Sequence, residues 1–505
     1  MKTASQDTVL LKNEAIAYLQ NQQLTQAKDV LASVCELDAT DVDAWFLLGV
    51  ANGLLGDPQA AEACCRRALA LRPNFTNAMF NLGKSLNDQE KFEESSSVFR
   101  QVLKLEPMNI DAMNCLVHAL VCLRRFDQAS SICRHALTIA PRNPETHLSM
   151  GNLLKQAGDL QSALGYYDNA LKLNPGLISA ILNKGLTLQK TGRDDDAMAC
   201  FKQVLKLNPH IAGAHYSVGL IYLRRGDRDK AVQSLQQAFE CAPRDVKLAM
   251  QYAAVLRYQG RTIESIEVYY QILKIDPANE AANFYIKTIE EGVKPSRIPS
   301  AMLQAVYNTD DAAKSFDISL LNKFDYKAPE VMNKAVRDVL GPERNQLDVL
   351  DLGCGTGLCA SLLRDVARNI EGVDISANMI AEAKKKAVYD KLTVADIMET
   401  LDSYDNKFDV IVAMDVLCFF GDLSDITKKC ARALRQGGVF GFTVEKETSG
   451  TDWTFHNYGN FLHSAQYLKR MCQDNGLKAM KLEEMVLRKE LHEDRTGYLC
   501  LFQKT

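Results

Sequence analysis

The sequence lacks a surplus of either charge: 59 Lys and Arg stand against 63 Asp and Glu, a net −4. No basic run stands out, so no nucleic-acid partner is expected. No apolar run approaches the roughly 20 residues that span a bilayer, and no membrane partner is expected either. The opening stretch MKTASQDTVLLKNEAIAYL lacks the long apolar centre of a secretory leader. Fourteen cysteines include no Cys-x-x-Cys pair, and most fall at apolar positions of helical patterns. They read as buried thiols in a reducing, cytoplasmic setting, with no metal site. What remains is ordinary: 47% apolar and 24% charged residues in 505, room for two or three domains.

Prolines are few, but seven keep a constant interval of 34: Pro73, Pro107, Pro141, Pro175, Pro209, Pro243 and Pro277. Small residues share it at Ala27, Ala61, Ser95, Ala129, Ala163, Ala197, Ala231 and Ser265, as do Gly49, Gly83, Gly151, Gly185 and Gly219, broken by Val117 and Ala253. A shared register of this kind marks a repeat. Each unit holds two amphipathic stretches, as in NAMFNLGKSLNDQEKFEESSSVFRQVLKLEP. Proline suits the turn because it cannot continue the helix just ended. Small residues suit the places where paired helices touch.

These features resemble the tetratricopeptide repeat, in eight units over residues 8–279 and a closing helix, EAANFYIKTIEEG. The resemblance implies an all-α superhelix over 8–291 with a concave groove for a protein or peptide. The groove residues it implies are Phe80, Asn81, Asn114, Asn152, Asn183, Tyr216, Arg224 and Arg257. A mixed apolar and basic groove suits an extended peptide; plain groove lining or solvated surface remains the alternative. Asp43, Asp111 and Glu145 have a local explanation, since carboxylates favour the first turn of a helix.

The register stops at GVKPSRIPS (292–300), which reads as a linker to a second domain over 301–505. Within that domain LDVLDLGCG is a short apolar strand of the kind covered on both faces, turning at Gly353, Gly355 and Gly357 into the helix LCASLLRDVA. The third glycine of a dinucleotide loop is replaced by Leu358, and a P-loop lysine is absent. Asp351 leads the loop, and an acid there favours a cationic ligand group over a pyrophosphate. The next strand ends in Asp374, placed to accept both hydroxyls of a ribose. KLTVADIMETL brings a third strand with Asp396 at its end, FDVIVAMDVLCFF a fourth, GDLSDITKKCARALRQGG a helix and VFGFTVEKE a fifth strand. LKAMKLEEMVLRKE and GYLCLFQK read as an antiparallel end. Such alternation builds an α/β doubly wound, Rossmann-like sheet of seven strands.

The glycine loop, Asp374, Asp396 with Ile397, and ALRQGG together are similar to class I S-adenosylmethionine-dependent methyltransferases. SFDISLLNKFDYKAPEVM, DVLCFFGDL and YGNFLHSAQYLKRM look like bacterial fusions of tetratricopeptide repeats to this domain. The resemblance implies S-adenosyl-L-methionine as cofactor, held by Asp351, Gly353, Cys354, Gly355, Gly357, Asp374, Ile375, Met379, Asp396, Ile397 and Met414. Ala312 stands where such fusions carry a tyrosine, with Tyr307 nearby.

No Pro-Cys pair and no N/D-P-P-Y/F motif is present, so neither covalent cytosine methylation nor amide or base-nitrogen methylation is indicated. Candidate acid–base groups are Asp415, Glu445, and His463 or His456; either histidine is as readily a surface or hydrogen-bonding residue. Three functions stay open. The repeats recruit a polypeptide acceptor for methylation, or they form an assembly surface beside a small-molecule methyltransferase, or the chain is a non-catalytic adaptor.

Overall fold

The computed structural model describes residues 2–309, 313–314, 316–317, 320, 326–341, 346–457, 459–490 and 493–505. Ala312 lies outside them. The chain divides into two compact units, Met1–Ser217 and Val218–Thr505.

Helices α1 (Lys2–Gln20) to α17 (Glu280–Ile289) follow one another with no strand between them. Prolines of the register stand two residues past helix ends: Pro73 after Leu71, Pro141 after Ile139, Pro277 after Ile275. The helices that follow are capped in the same register, where Asp41, Asn109, Asn143, Asp245 and Asn279 accept a backbone N–H three residues on at 2.9–3.0 Å. Asp43, Asp111 and Glu145 sit in first turns. All eight small residues are buried, Ser95 donating to the Gly83 carbonyl at 2.9 Å.

The glycines are explained by what faces them sixteen residues later. A Cβ on Gly83 would lie 2.6 Å from the Phe99 ring, one on Gly151 2.5 Å from Tyr167 and one on Gly185 2.8 Å from Phe201. Where the register carries Val117 instead, the facing position is Cys133, and both belong to one core cluster. Volume moves from one helix of the pair to the other. Tyr167 cannot swing aside, being fully buried with its hydroxyl on Asn152 Oδ1 at 2.9 Å. Gly151→Ala should therefore cost about 1–3 kcal/mol of stability, read as a lower urea midpoint. An unchanged midpoint would mean that the two helices can separate freely.

The second unit carries the last helices of the array and a mostly parallel sheet. Strands β1 (Leu347–Leu352), β2 (Ala367–Asp374), β3 (Lys391–Val394), β4 (Phe408–Ala413) and β5 (Leu434–Lys446) run in the order β3-β2-β1-β4-β5. Alternate residues supply two cores. Val349, Val410, Val412 and Val439 pack on one face, while Leu350, Leu352, Ile411, Phe440 and Phe442 pack on the other. Strand β9 (Glu493–Lys504) lies antiparallel to β5 over Val439–Glu445, and β8 (Leu477–Glu490) is antiparallel to β9.

Two elements differ from expectation. The helix expected through ALRQGG ends earlier, at Ala433, and β5 begins at Leu434. Leu434 already pairs with Phe408, and a register shift then carries the ladder to Val439 against Val410. A short hairpin, β6 (Trp453–Phe455) and β7 (Phe461–His463), also appears before the last helix. Its β7 runs beside Glu445 and Lys446, on the edge of β5 that β4 leaves after Ala413.

Candidate functional site

A cavity of about 420 Å³ lies over the C-terminal ends of the parallel strands, where doubly wound sheets place ligands. Its floor is the loop after β1. Gly353 has φ +64°, and a Cβ there would meet Val416 at 2.3 Å. Gly357, at φ +89°, stands at the N-terminus of the helix Leu358–Leu363. Only glycine takes both backbones without strain.

Two buried acids face this loop. The Tyr389 hydroxyl donates to Asp351 Oδ2 at 2.8 Å, and burial pushes the Asp351 carboxyl up to about 7. Asp374 accepts one backbone N–H at each oxygen, from Gly355 and Ser376, both at 2.8 Å. Burial raises its pKa, and these backbone bonds oppose the rise. A third backbone N–H, that of Ile375, also favours the charged carboxylate, and the side chain lines the cavity. Asp351, Gly353, Cys354, Gly355, Asp374, Ile375, Met379, Asp396, Ile397 and Met414 all line the cavity; Gly357 stands just behind it.

Asp396 is shared in a way the sequence does not signal. Its Oδ2 accepts from Arg297 and from the Ser300 hydroxyl, both at 2.8 Å, and its Oδ1 accepts from the Met398 N–H at 2.9 Å. One lone pair on Oδ1 is left. Arg297 is held in turn by an antiparallel bridge to Phe420, flanked by Ile298 N–H on the Phe419 carbonyl and Gly421 N–H on the Ser296 carbonyl. The segment read as a linker is thus pinned along the cavity wall. Tyr307 lines the cavity as well.

The end of the cavity beyond β4 and β5 is polar. Arg488 on β8 places Nη1 on Asp415 Oδ1 and Nη2 on Glu445 Oε1, each at 2.7 Å. Asp415 has φ +59°, a left-handed backbone uncommon outside glycine. Its N–H donates to the Thr443 hydroxyl at 2.9 Å. Burial raises the Glu445 pKa against the opposing pull of Arg488. Tyr326, Asn460 and Arg495 complete this end.

His463 does not belong to this group. It is 0% exposed, its Nε2 meets the Gly421 carbonyl at 2.9 Å, and burial lowers its pKa to about 4. Pairing of β7 with β5 turns the ring beneath Gly421 and outside the cavity lining. His456 is half-buried, and burial lowers its pKa too.

The expected groove residues fare unevenly. Phe80 is half-buried, edge-on to Phe99 at 5.7 Å. Asn81, Asn114 and Tyr216 are half-buried. Asn152 accepts from Tyr167 at 2.9 Å and Asn183 from Lys155 at 2.7 Å. Arg224 is exposed. Arg257 departs from the groove assignment: it is 3% exposed and engaged within the chain. On α15 (Val246–Tyr258), it donates from Nη1 to the Asn457 carbonyl at 2.5 Å and from Nε to the Tyr269 hydroxyl at 3.1 Å. Its guanidinium lies 4.0 Å from the Tyr285 ring centre, and Phe284 and Tyr285 both pack on Phe455 of the β6–β7 hairpin. The neighbouring Tyr258 lines the cavity.

Among the described residues no helix is long and apolar enough to cross a membrane, and no group of three or more His, Cys, Asp or Glu could hold a metal ion. The fourteen cysteines form no disulfide among the described residues.

Comparison with known proteins gives two kinds of match. A methyltransferase-domain model matches residues 350–442, and tetratricopeptide-repeat models match 42–75, 76–109, 182–246 and 219–280. The ubiquinone biosynthesis O-methyltransferase of Coxiella burnetii (strain Dugway 5J108-111) is 28% identical over 26% of this chain and 64% of its own length. The malonyl-[acyl-carrier protein] O-methyltransferase of Enterobacter lignolyticus (strain SCF1) is 29% identical over 28% of this chain and 57% of its own. The chain thus spans 57–64% of the length of these two relatives. A solved tetratricopeptide repeat protein from Parabacteroides merdae ATCC 43184 is similar at TM-score 0.42 and 15% identity, over 47% of this chain and 94% of that one. The chain accordingly joins tetratricopeptide repeats, within residues 42–280, to a methyltransferase domain matched over 350–442.

Proposed function

We propose that this chain transfers a methyl group from S-adenosylmethionine to an oxygen of a small acceptor that enters the polar end of the cavity. The observation that carries the reading is one cavity with a glycine cradle and two buried acids at one end and an Arg488-bridged pair of carboxylates at the other. The residues present fit the donor. Asp351 takes its ammonium group, Asp374 its two ribose hydroxyls, Ile375 and Met379 the faces of its base, and the remaining lone pair of Asp396 the base's amino group. When bound, the donor supplies a sulfonium-activated methyl group. The protein holds the acceptor in line, excludes water and receives the proton that the acceptor oxygen loses. Glu445 is placed for that proton, with Asp415 beside it. The relatives' names, both O-methyltransferases, favour oxygen as the accepting atom.

A second reading gives the acceptor to a protein or peptide recruited by the repeats over 8–291, with 292–300 as the join to the methyltransferase domain over 301–505. Repeat arrays commonly present binding surfaces to proteins, and Tyr258 of α15 lines the cavity itself. A label appearing in denatured lysate protein rather than in metabolites would favour it.

Calorimetric titration of S-adenosylmethionine and S-adenosylhomocysteine into the full chain tests the reading. Micromolar binding is expected; if neither ligand binds the folded chain, the non-catalytic adaptor takes precedence. The pH dependence is a sharper check. With its carboxyl at about 7 before a ligand arrives, Asp351 must release a proton to receive a cation. Donor affinity should then fall below pH 7, approaching tenfold per unit, with a proton released on binding. Asp351→Asn should flatten the profile. A flat wild-type profile would remove Asp351 from the cationic end of the ligand.

A further inference from the structure

Asp396, on the cavity wall, is held by two side chains from the stretch that reads as a linker. Its Oδ2 accepts from Arg297 Nη1 and from the Ser300 hydroxyl, both at 2.8 Å, and Arg297 Nη2 reaches the same hydroxyl oxygen at 3.3 Å. Ser300 gives its one hydrogen to Asp396 and accepts from Arg297, so the three side chains close a ring. The Met398 N–H holds Oδ1 at 2.9 Å. The carboxylate is thus fixed at both oxygens. The two side chains that grip it are themselves set in place. On either side of Arg297, the Ser296 carbonyl takes the Gly421 N–H at 2.8 Å and the Ile298 N–H goes to the Phe419 carbonyl at 2.9 Å. Ser300 opens the helix Ser300–Tyr307 behind Pro299. Arg297, Ser300 and Asp396 all line the cavity.

With the Arg297 side chain 39% exposed, the ion pair adds little to stability. What it adds is direction. Adenine presents an amino group, which donates. Hypoxanthine presents a carbonyl oxygen at that position and carries a hydrogen on the neighbouring ring nitrogen. A carboxylate only accepts. Fixed toward the amino group, it bonds adenine and repels the carbonyl. Free to turn, it reaches the neighbouring N–H and the distinction is lost. We infer that Arg297 and Ser300 are positioning residues that fix Asp396 toward the amino group of the donor's base, and so make the site choose adenine over an oxo-purine. This rests on the donor reading, to which it adds a source of selectivity. Two of the three residues that choose the base lie ahead of the matched methyltransferase region, 350–442, in the stretch that follows the repeats.

S-adenosylhomocysteine and S-inosylhomocysteine, which differ only at that edge of the base, are titrated into the full chain. The wild-type chain should prefer the adenine ligand by at least about tenfold, the worth of one hydrogen bond to a charged group. Arg297→Ala should weaken the adenine ligand by about tenfold and leave the inosine ligand nearly unchanged, so that the preference falls to within about threefold. Ser300→Ala should lower the preference in the same direction, and Arg297→Lys, which keeps one donor for Asp396, should restore part of it. Melting curves show that the variants fold, and Ser300→Ala, the smaller change, decides the matter should Arg297→Ala not fold. If the two ligands weaken equally, Arg297 is merely structural and the inference fails. Tighter adenine binding in Arg297→Ala also overturns it, by making Arg297 a competitor for the carboxylate, as does a wild-type chain with no preference. In these cases the donor reading stands. A wild-type chain that binds neither ligand overturns the donor reading, and the inference with it.

Discussion

Asp374→Ala should remove detectable binding of S-adenosylmethionine and S-adenosylhomocysteine from a chain that still folds. Each Asp374 oxygen accepts a backbone N–H and the side chain lines the cavity, so the carboxylate borders the space a ligand would fill. Two hydrogen bonds to a charged group, at about 1.5–3 kcal/mol each, make the expected loss at least about a hundredfold. The bonds from Gly355 and Ser376 vanish too, and the glycine loop loses the contact that ties it to the end of β2. Asp374→Asn keeps one acceptor oxygen and should fall between the two. Calorimetry reads the loss, and a circular-dichroism melt shows that the fold survives. Unchanged affinity in the alanine variant would detach Asp374 from the ligand altogether.

Arg257→Ala should strongly destabilise the second unit. The guanidinium holds the Asn457 carbonyl and the Tyr269 hydroxyl and lies against Tyr285, almost wholly out of water. A desolvated cation–ring contact of about 2 kcal/mol and a charged hydrogen bond of about 1.5–3 kcal/mol go together. The expected loss is therefore about 3–5 kcal/mol. Lysine would keep the charge but cannot reach both oxygens in one plane, so Arg257→Lys should recover only part. A guanidinium-chloride midpoint measures the loss, and amide exchange over 453–463 localises it. If exchange in that hairpin stays at the wild-type rate, Arg257 does not hold it.

Much of this was open to a reader of the sequence, and the boundary is physical. The repeats are legible because one packing problem, a small residue facing a large one, recurs every 34 residues. Asp351 and Asp374 are legible because each stands at the end of an apolar strand, and position alone aims them at the cavity. Arg488 is not. It acts on Asp415 and Glu445, 73 and 43 residues away, and only the antiparallel fold-back of β8 and β9 brings it there. Arg297 meets Asp396 across 99 residues from what reads as a plain linker. The β6–β7 hairpin has strands of three residues, too short for alternation to be seen. Lacking it, the sequence gives Arg257 to a groove and His463 to a pocket.

That hairpin contact also limits how this chain can change its length. Repeat arrays grow and shrink by whole repeats, since each unit touches only its neighbours. A unit gained or lost ahead of Ser217 leaves Arg257, Tyr258 and Tyr285 with the partners they have. The same event after Gln259 would part Arg257 from Tyr269 and Tyr285, and the Asn457 carbonyl from its clasp. Length is a free variable at one end of the array and a fixed one at the other.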